Sequence, residues 1–333
     1  MPQVERSRLL LVILWGPIVL GVAVGSEPAP RGLSPHLRGA VGWLPGDSDT
    51  LHVAQSFEIL AGEDPQQNGP RLDFRYITQL AVLEGLFEPQ HEPYLRPFVG
   101  RNVTVAVRGE RNAEVVSNFG ALRSEGCSII LFKEDLGNAA EQWTKTVRQG
   151  AKQIRKLNGH EVFVFDSTTV MEGWVKQKPW QGTFMVLLTS KCLLCASSDK
   201  YLEEVLDRLE TAPAVRAFPD TLAEWQHVDT TASAWMLRHV SEKAPRRSIV
   251  GVTMTAAQDR CRVVYLPLNK MKQDAKAFIQ NRWLGKDPII DWTMPYEFSQ
   301  AENGSLSASI GLTAFEPGKS SPVWWLNSIR GER

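Results

Sequence analysis

The sequence predicts an α+β protein of two similar halves, each a mainly antiparallel sheet with helices on one face. Three observations lead to this prediction. Residues Gly182–Leu209 are typical of strand, turn, strand and helix, because two apolar runs, Phe184–Leu188 and Cys192–Ala196, flank a short polar turn. Asn102–Arg108 alternates valines with small or polar residues, which indicates a half-buried strand. Finally, similar elements recur in the same order in both parts of the chain.

The N-terminal residues 1–25 have the features of an export signal. Arg6 and Arg8 form a basic region, Leu9–Val24 is largely apolar, and small residues precede the predicted cleavage point after Gly25. An uncleaved membrane anchor is the alternative, although the run is short for a spanning helix and contains Pro17. We therefore expect an extracytoplasmic protein, periplasmic or secreted, with membrane contact only if the segment is retained.

Beyond the signal, the chain divides by composition. Residues 26–42 hold several prolines with little periodicity and are predicted to be a linker. Residues 43–212 form the first α+β half and residues 213–333 the second, with the boundary in the proline-containing segment Thr211–Asp220. The chain is long enough for one large domain or two of ordinary size.

An internal duplication would explain the shared order of elements. The corresponding pairs of segments are Asp49-Thr50 with Asp229-Thr230, Asn102–Arg108 with Ser248–Thr255, and Cys127–Phe132 with Cys261–Leu266. The second half has no counterpart of the helix at Tyr201–Leu209. Because Phe184–Leu188 has no polar face, we expect helices to cover one side of it and the other half of the protein to cover the second.

The remaining elements follow from periodicity and turn signals. Helices are predicted over residues 72–87, 135–157 with Gly150 as a candidate break, 221–228 and 270–284. Polar connections are predicted over 61–70 and 109–125, a loop over 174–180, and strands over 51–57, 127–132, 160–165, 232–237, 248–255, 262–266, 293–299 and 305–313. The last two strands are expected to turn at Glu302-Asn303-Gly304, because Asn-Gly is the dipeptide most typical of a hairpin turn.

Composition excludes several functional classes. The 37 basic and 37 acidic residues balance, and no basic cluster indicates a nucleic-acid partner. The sequence has no glycine-rich phosphate loop and no nucleophile elbow, so no cofactor is predicted.

Two of the four cysteines form a Cys-x-x-Cys pair, Cys192 and Cys195. Residues three apart on a strand face opposite sides of a sheet, so we predict buried core thiols. The alternatives are a disulfide that involves one of them, or a metal-binding or redox function.

Charged and metal-ligating residues give weak signals. The six histidines show no metal-binding spacing, and no metal is predicted. Asp47 and Asp49 could hold a cation, but a turn that hydrogen-bonds its own backbone is the favoured interpretation. The acidic pairs Glu63-Asp64 and Glu203-Glu204 are interpreted as solvated charges.

The segment Trp43–Thr50, followed by a strand, resembles the Leu-Pro-x-Asp opening of several uncharacterised exported bacterial families. Three later segments also resemble these families, at Pro93–Val103, Cys127–Val147 and Cys192–Leu209. The resemblance covers roughly residues 43–210. It implies an extracytoplasmic α+β protein of unknown function and supplies no catalytic residues.

Function is predicted only by class. The export signal, the missing catalytic motifs and a tryptophan-rich second half favour a non-enzymatic protein that binds a protein or an envelope polymer. Trp324 and Trp325 are the predicted partner contacts, because two adjacent residues cannot easily both face a core. The alternatives are a hydrolase-type enzyme with a site dispersed across both halves, and a structural envelope component.

Overall fold

A computed structural model describes residues 33–55, 61–63, 70–72, 103–115, 122–165, 183–211, 215–232, 234–239, 249–255, 260–265, 296–300 and 305–311. Its helices are α1 (Pro35–Gly42), α2 (Asn138–Gly150), α3 (Asp199–Glu210) and a 3₁₀ helix at Ala223–His227. Its strands are β1 (Thr50–Ala54), β2 (Ala61–Glu63), β3 (Pro70–Leu72), β4 (Val103–Val115), β5 (Leu122–Phe132), β6 (Gln153–Leu157), β7 (His160–Phe165), β8 (Thr183–Thr189), β9 (Cys192–Ala196), β10 (Ala234–Arg238), β11 (Ile249–Thr255), β12 (Arg260–Tyr265), β13 (Tyr296–Gln300) and β14 (Leu306–Gly311).

Twelve of the described strands form one antiparallel sheet in the order β13-β14-β12-β11-β10-β1-β4-β5-β9-β8-β7-β6. The fold is therefore α+β with a mainly antiparallel sheet, as the sequence predicts. Strands β2 and β3 pair separately, at the two ends of the segment 61–70 for which the sequence predicts a polar loop. No helix in the described ranges has the length and apolarity needed to cross a membrane.

The two parts of the chain meet edge to edge. Strand β1 pairs with β10, placing Leu51 opposite Leu237 and Val53 opposite Trp235. The described strands of the second half therefore do not cover the strand Phe184–Leu188, because they continue its sheet instead of stacking on it.

One face of the sheet, called the core face, carries the main apolar core. Alternate residues such as Val53, Val107 and Ile129 pack there against helices α1 and α3. Helix α3 begins at the cap residue Ser198, whose side chain accepts a hydrogen bond from the Tyr201 amide. As predicted, its stripe of apolar residues, including Leu202, is buried.

The other face, called the back face, is covered in part by α2. Trp143 of α2 packs edge-to-face on Phe163 of β7, with ring centroids 5.8 Å apart. Phe163 alternates with the core-face residues Val162 and Val164. Helices therefore lie on both faces, and the prediction of helices on one face is wrong for the first half.

Three further boundaries differ from the predictions. Part of the predicted linker is helix α1, which Ser34 caps and whose residue Leu37 is fully buried. The predicted connection 109–125 is mostly strand, because β4 and β5 form a long hairpin. The predicted helix 135–157 ends at Gly150, and residues 153–157 form β6, which turns back into β7 at Asn158-Gly159.

The other predicted strands are confirmed within a few residues, including the final hairpin, in which β13 pairs with β14. The predicted helix at 221–228 is a short 3₁₀ helix. The predicted signal at 1–25, the helix at 270–284, the loop at 174–180 and nearly all of the helix at 72–87 lie outside the described residues.

Candidate functional site

Trp324 and Trp325, the predicted partner contacts, lie outside the described residues. Trp235 of β10, in contrast, is fully buried in the core. Its ring packs edge-to-face on Trp225 at 5.9 Å between centroids.

The cysteines of the Cys-x-x-Cys pair occupy opposite faces of β9, which confirms their predicted placement. Cys192 belongs to the core-face cluster, whereas Cys195 pairs with Ser128 on the back face. Both residues are buried and, like Cys127, form no disulfide. Burial raises the pKa of Cys192 to about 12, so this thiol is a poor nucleophile at neutral pH.

Asp47, Ser48 and Asp49 fix the entry to β1 through side-chain partners as well as the backbone. Asp47 pairs with Arg111 at 2.8 Å, and the Ser48 and Tyr201 hydroxyls share a hydrogen bond of 2.7 Å. The Asp49 amide donates to the Glu110 carbonyl at 2.8 Å. The prediction that these side chains bond their own turn is therefore wrong for Asp47 and Ser48, whose partners are distant side chains, although the contacts do fix the start of β1.

Arg111 joins four separate segments. Its guanidinium binds both carboxylate oxygens of Glu204 at 2.8 Å and one oxygen of Glu125 at 3.0 Å, in addition to Asp47. It also lies 5.0 Å from the ring centroid of Tyr201. Burial lowers the pKa of Arg111, but the hydrogen bonds to the three carboxylates outweigh it and raise that pKa. We call these five residues the Arg111 cluster.

The Arg111 cluster corrects one prediction about the acidic pairs. The sequence predicts a solvated Glu204, but this residue binds Arg111 bidentately, while Glu203 is exposed as expected. The side chains of Glu63 and Asp64 lie outside the described residues. A glycine makes room for the cluster, since a Cβ atom at Gly109 would lie 2.4 Å from the Tyr201 hydroxyl.

A band of polar side chains crosses the back face around the pairing of β1 with β10. We call it the central polar stripe, and its members are Thr50, His52, Arg108, Glu110, Ser128 and Arg238. Cross-strand pairing aligns His52 with Arg108, and Arg108 with Ser128. His52 and Ser128 are fully buried. Sequence alternation assigns these positions to a polar face, which the structure places inside the protein.

At the centre of the stripe, a carboxylate, a guanidinium and an imidazole lie close together. Arg108 Nε donates to Glu110 Oε1 at 2.7 Å, and the same guanidinium donates to Ser128 Oγ at 3.3 Å. His52 Nε2 lies 3.6 Å from Glu110 Oε2. An imidazole next to a carboxylate and a guanidinium is a common arrangement for proton transfer and for anion binding.

The stripe also includes a residue of the second half. Arg238 Nε donates to Thr50 Oγ1 at 3.3 Å across the β1–β10 join. Sequence reasoning missed the stripe, because its members are separated by up to 188 positions and form no local motif.

A second histidine–carboxylate pair lies beside the 3₁₀ helix. His239 Nδ1 is 2.9 Å from Glu224 Oε1, and Glu224 is mostly buried. Nearby His227 is also buried, and burial lowers its pKa despite the opposing charge of Glu224. Within the described ranges, no three His, Cys, Asp or Glu residues are grouped so that they could hold a metal ion.

The edge of the sheet at β6 is exposed to solvent. Strand β6 lies at the edge, and Gln153, Ile154, Arg155 and Lys156 are all exposed. Ile154 is 39 % exposed, an unusual position for a large apolar residue. This edge is the clearest solvent-facing surface among the described strands.

Comparisons with protein-family models, with curated proteins and with solved structures each return no match. No function can therefore be transferred from a relative, and the candidate sites rest on their own geometry.

Proposed function

We propose that the protein is an exported, non-enzymatic protein that binds a protein or an envelope polymer. The observation that carries the proposal is the open end of the sheet at β6, where four consecutive side chains are exposed. An edge strand presents unpaired backbone groups, which natural proteins either protect or use for binding. Export is supported by the basic and apolar segments of residues 1–25.

Affinity capture tests the binding function. The full-length protein would be immobilised and exposed to envelope extract, with heat-denatured protein as the control. We expect specific retention of a protein or polymer that the control does not retain. Recovery of neither from extracts made under several growth conditions would contradict the proposal.

The extracytoplasmic location has its own test. Mass spectrometry of the mature N-terminus should find cleavage near Gly25. An intact N-terminus in the membrane fraction would favour the structural envelope component instead, because the apolar segment would then act as an anchor.

A hydrolase-type enzyme is the second candidate, and the central polar stripe favours it. His52 and Glu110 lie 3.6 Å apart in a buried setting, and Arg238 adds a residue of the second half. A panel of ester, phosphoester and glycoside substrates would test this candidate. Turnover that disappears in both His52→Gln and Glu110→Gln, each still folded, would replace the binding proposal.

We also propose that the halves arose by duplication, related by a two-fold axis at the β1–β10 join. The order of strands outward from this join supports it: β1, β4, β5, β9, β8 on one side and β10, β11, β12, β14, β13 on the other. An experimental structure should superpose the two five-stranded units by a rotation of about 180°. The resemblance to uncharacterised exported bacterial families remains part of this proposal.

A further inference from the structure

The outer edge of β6 combines unpaired backbone with positive charge. We infer that it binds an extended acidic peptide segment, which adds to the sheet as an antiparallel strand next to β6. This inference rests on the proposed binding function and specifies its surface and partner chemistry.

The hairpin turn determines which backbone groups of β6 face outward. Asn158 and Gly159 have φ values of 47° and 78°, as in a two-residue type I′ turn. The flanking residues Leu157 and His160 therefore form a hydrogen-bonded pair, and the alternation continues at Arg155 with Val162. The backbone N–H and C=O groups of Ile154 and Lys156 consequently point away from β7. No strand in the described part of the chain pairs with this edge.

The charges around the edge favour an acidic partner. Arg155 and Lys156 project from opposite faces of β6, and Lys152 adjoins the strand in sequence, whereas Arg148 is already paired with Glu161. Arg155 is 3.7 Å from Asp199, a long and solvent-exposed ion pair. Such pairs contribute little, so this cation can exchange its partner readily.

The register predicts a short sequence preference. In an antiparallel partner, successive residues lie opposite Lys156, Arg155 and Ile154. Complementary charge favours carboxylates at the first two positions, and cross-strand packing on Ile154 favours a β-branched residue at the third. The preferred segment therefore contains acid, acid and apolar residue in that order.

A second copy of this chain is a poorer occupant. An antiparallel β6–β6 pair would place Arg155 opposite Arg155, Lys156 opposite Lys156, or Lys156 opposite Lys152, depending on register. Like charges directly opposite each other are destabilising. Basic residues can also simply protect an edge from aggregation, and this alternative is an outcome of the test.

The test measures binding of a fluorescent peptide, Thr-Ser-Glu-Glu-Val-Thr-Ser, to the full-length protein by anisotropy. We expect saturable binding that weakens by about tenfold or more in the double variant Arg155→Glu with Lys156→Glu. A Lys-Lys-Val peptide should bind this variant better than it binds the parent protein.

Backbone pairing is tested separately by N-methylation of the peptide. Methyl groups on the amides of the first Glu and of Val should abolish binding, because these amides face β6. A methyl group on the second Glu should be tolerated, because that amide faces away. Ile154→Pro is the matched change in the protein: it removes only an outward N–H, so it should block binding and leave the fold intact.

Equal binding of both methylated peptides would overturn strand addition and indicate an electrostatic surface, such as one for an anionic polymer. No binding of the parent protein to the acidic peptide would overturn the inference and leave edge protection as the role of the basic residues. Retention of an envelope partner by the double variant in affinity capture would separate these failures from failure of the proposed function.

Discussion

Strand β4 carries two buried arginines three residues apart, and they face opposite sides of the sheet. Arg111 binds carboxylates from the lead-in loop, from β5 and from α3, which are separate segments of the chain. Arg108 instead binds Glu110 of its own strand and Ser128 of the neighbouring strand. The first arginine joins elements together, whereas the second organises polar groups within one face of the sheet.

This difference separates a structural site from a candidate functional one. Removing Arg111 would loosen the contact of α3 and the lead-in loop with the sheet. The contacts of Arg108 lie within strands that the backbone ladder already aligns, so they are less needed to assemble the fold. A role in positioning His52 and Glu110 for a ligand or a reaction would explain why such charges are buried.

The largest expected effect is that of Arg111→Ala. It leaves three carboxylates near one another and removes the cation from the Tyr201 ring, so we expect a loss of about 3 kcal/mol in the free energy of unfolding. Urea denaturation followed by circular dichroism measures it. Glu203→Gln, on the exposed neighbour of Glu204, is the control and should change stability little. If Arg111→Ala loses no more unfolding free energy than the control does, Arg111 does not hold these segments together.

The strands were predictable where apolar residues alternate or form a continuous run, and not where both faces of a strand are exposed. Val103, Val105 and Val107 revealed β4, and two apolar runs revealed the β8–β9 hairpin. Strand β6 was missed because exposed residues on both its faces leave no period of two. Asn158-Gly159 is a hairpin signal in the sequence, but the predicted helix continues up to Leu157, immediately before it.

The sites were less predictable, because they depend on long-range pairing. Arg111 meets Glu204, which is 93 residues away, and nothing local marks either residue. Gly109 interrupted the alternation and favoured a connection, yet its missing side chain is what admits Tyr201. Helix α1 was a missed local signal, since Ser34-Pro35 is a cap followed by a first-turn proline.

Gly109→Ala tests the packing beneath the Arg111 cluster. The new Cβ would lie 2.4 Å from the Tyr201 hydroxyl and 2.7 Å from a Leu44 methyl, both of them buried. Overpacking of this kind costs about 2 kcal/mol. Gly39→Ala in α1 is the matched control, because no atom lies within 4 Å of the position that the new methyl group would occupy and alanine favours a helix. Thermal unfolding should show a loss for Gly109→Ala and no loss, or a small gain, for Gly39→Ala.

The smallest expected effect compares one hydroxyl on each face. Ser48→Ala leaves the buried Tyr201 hydroxyl without its 2.7 Å partner, whereas Ser128→Ala removes a longer 3.3 Å bond from Arg108. A hydrogen bond contributes about 1 kcal/mol to stability, and a buried polar group left without a partner costs more. We therefore expect Ser48→Ala to lose more stability than Ser128→Ala in parallel urea titrations. The reverse order would mean that the central polar stripe stabilises the fold more than the Arg111 cluster does. Arg108 would then be the structural arginine, and Arg111 the candidate functional one.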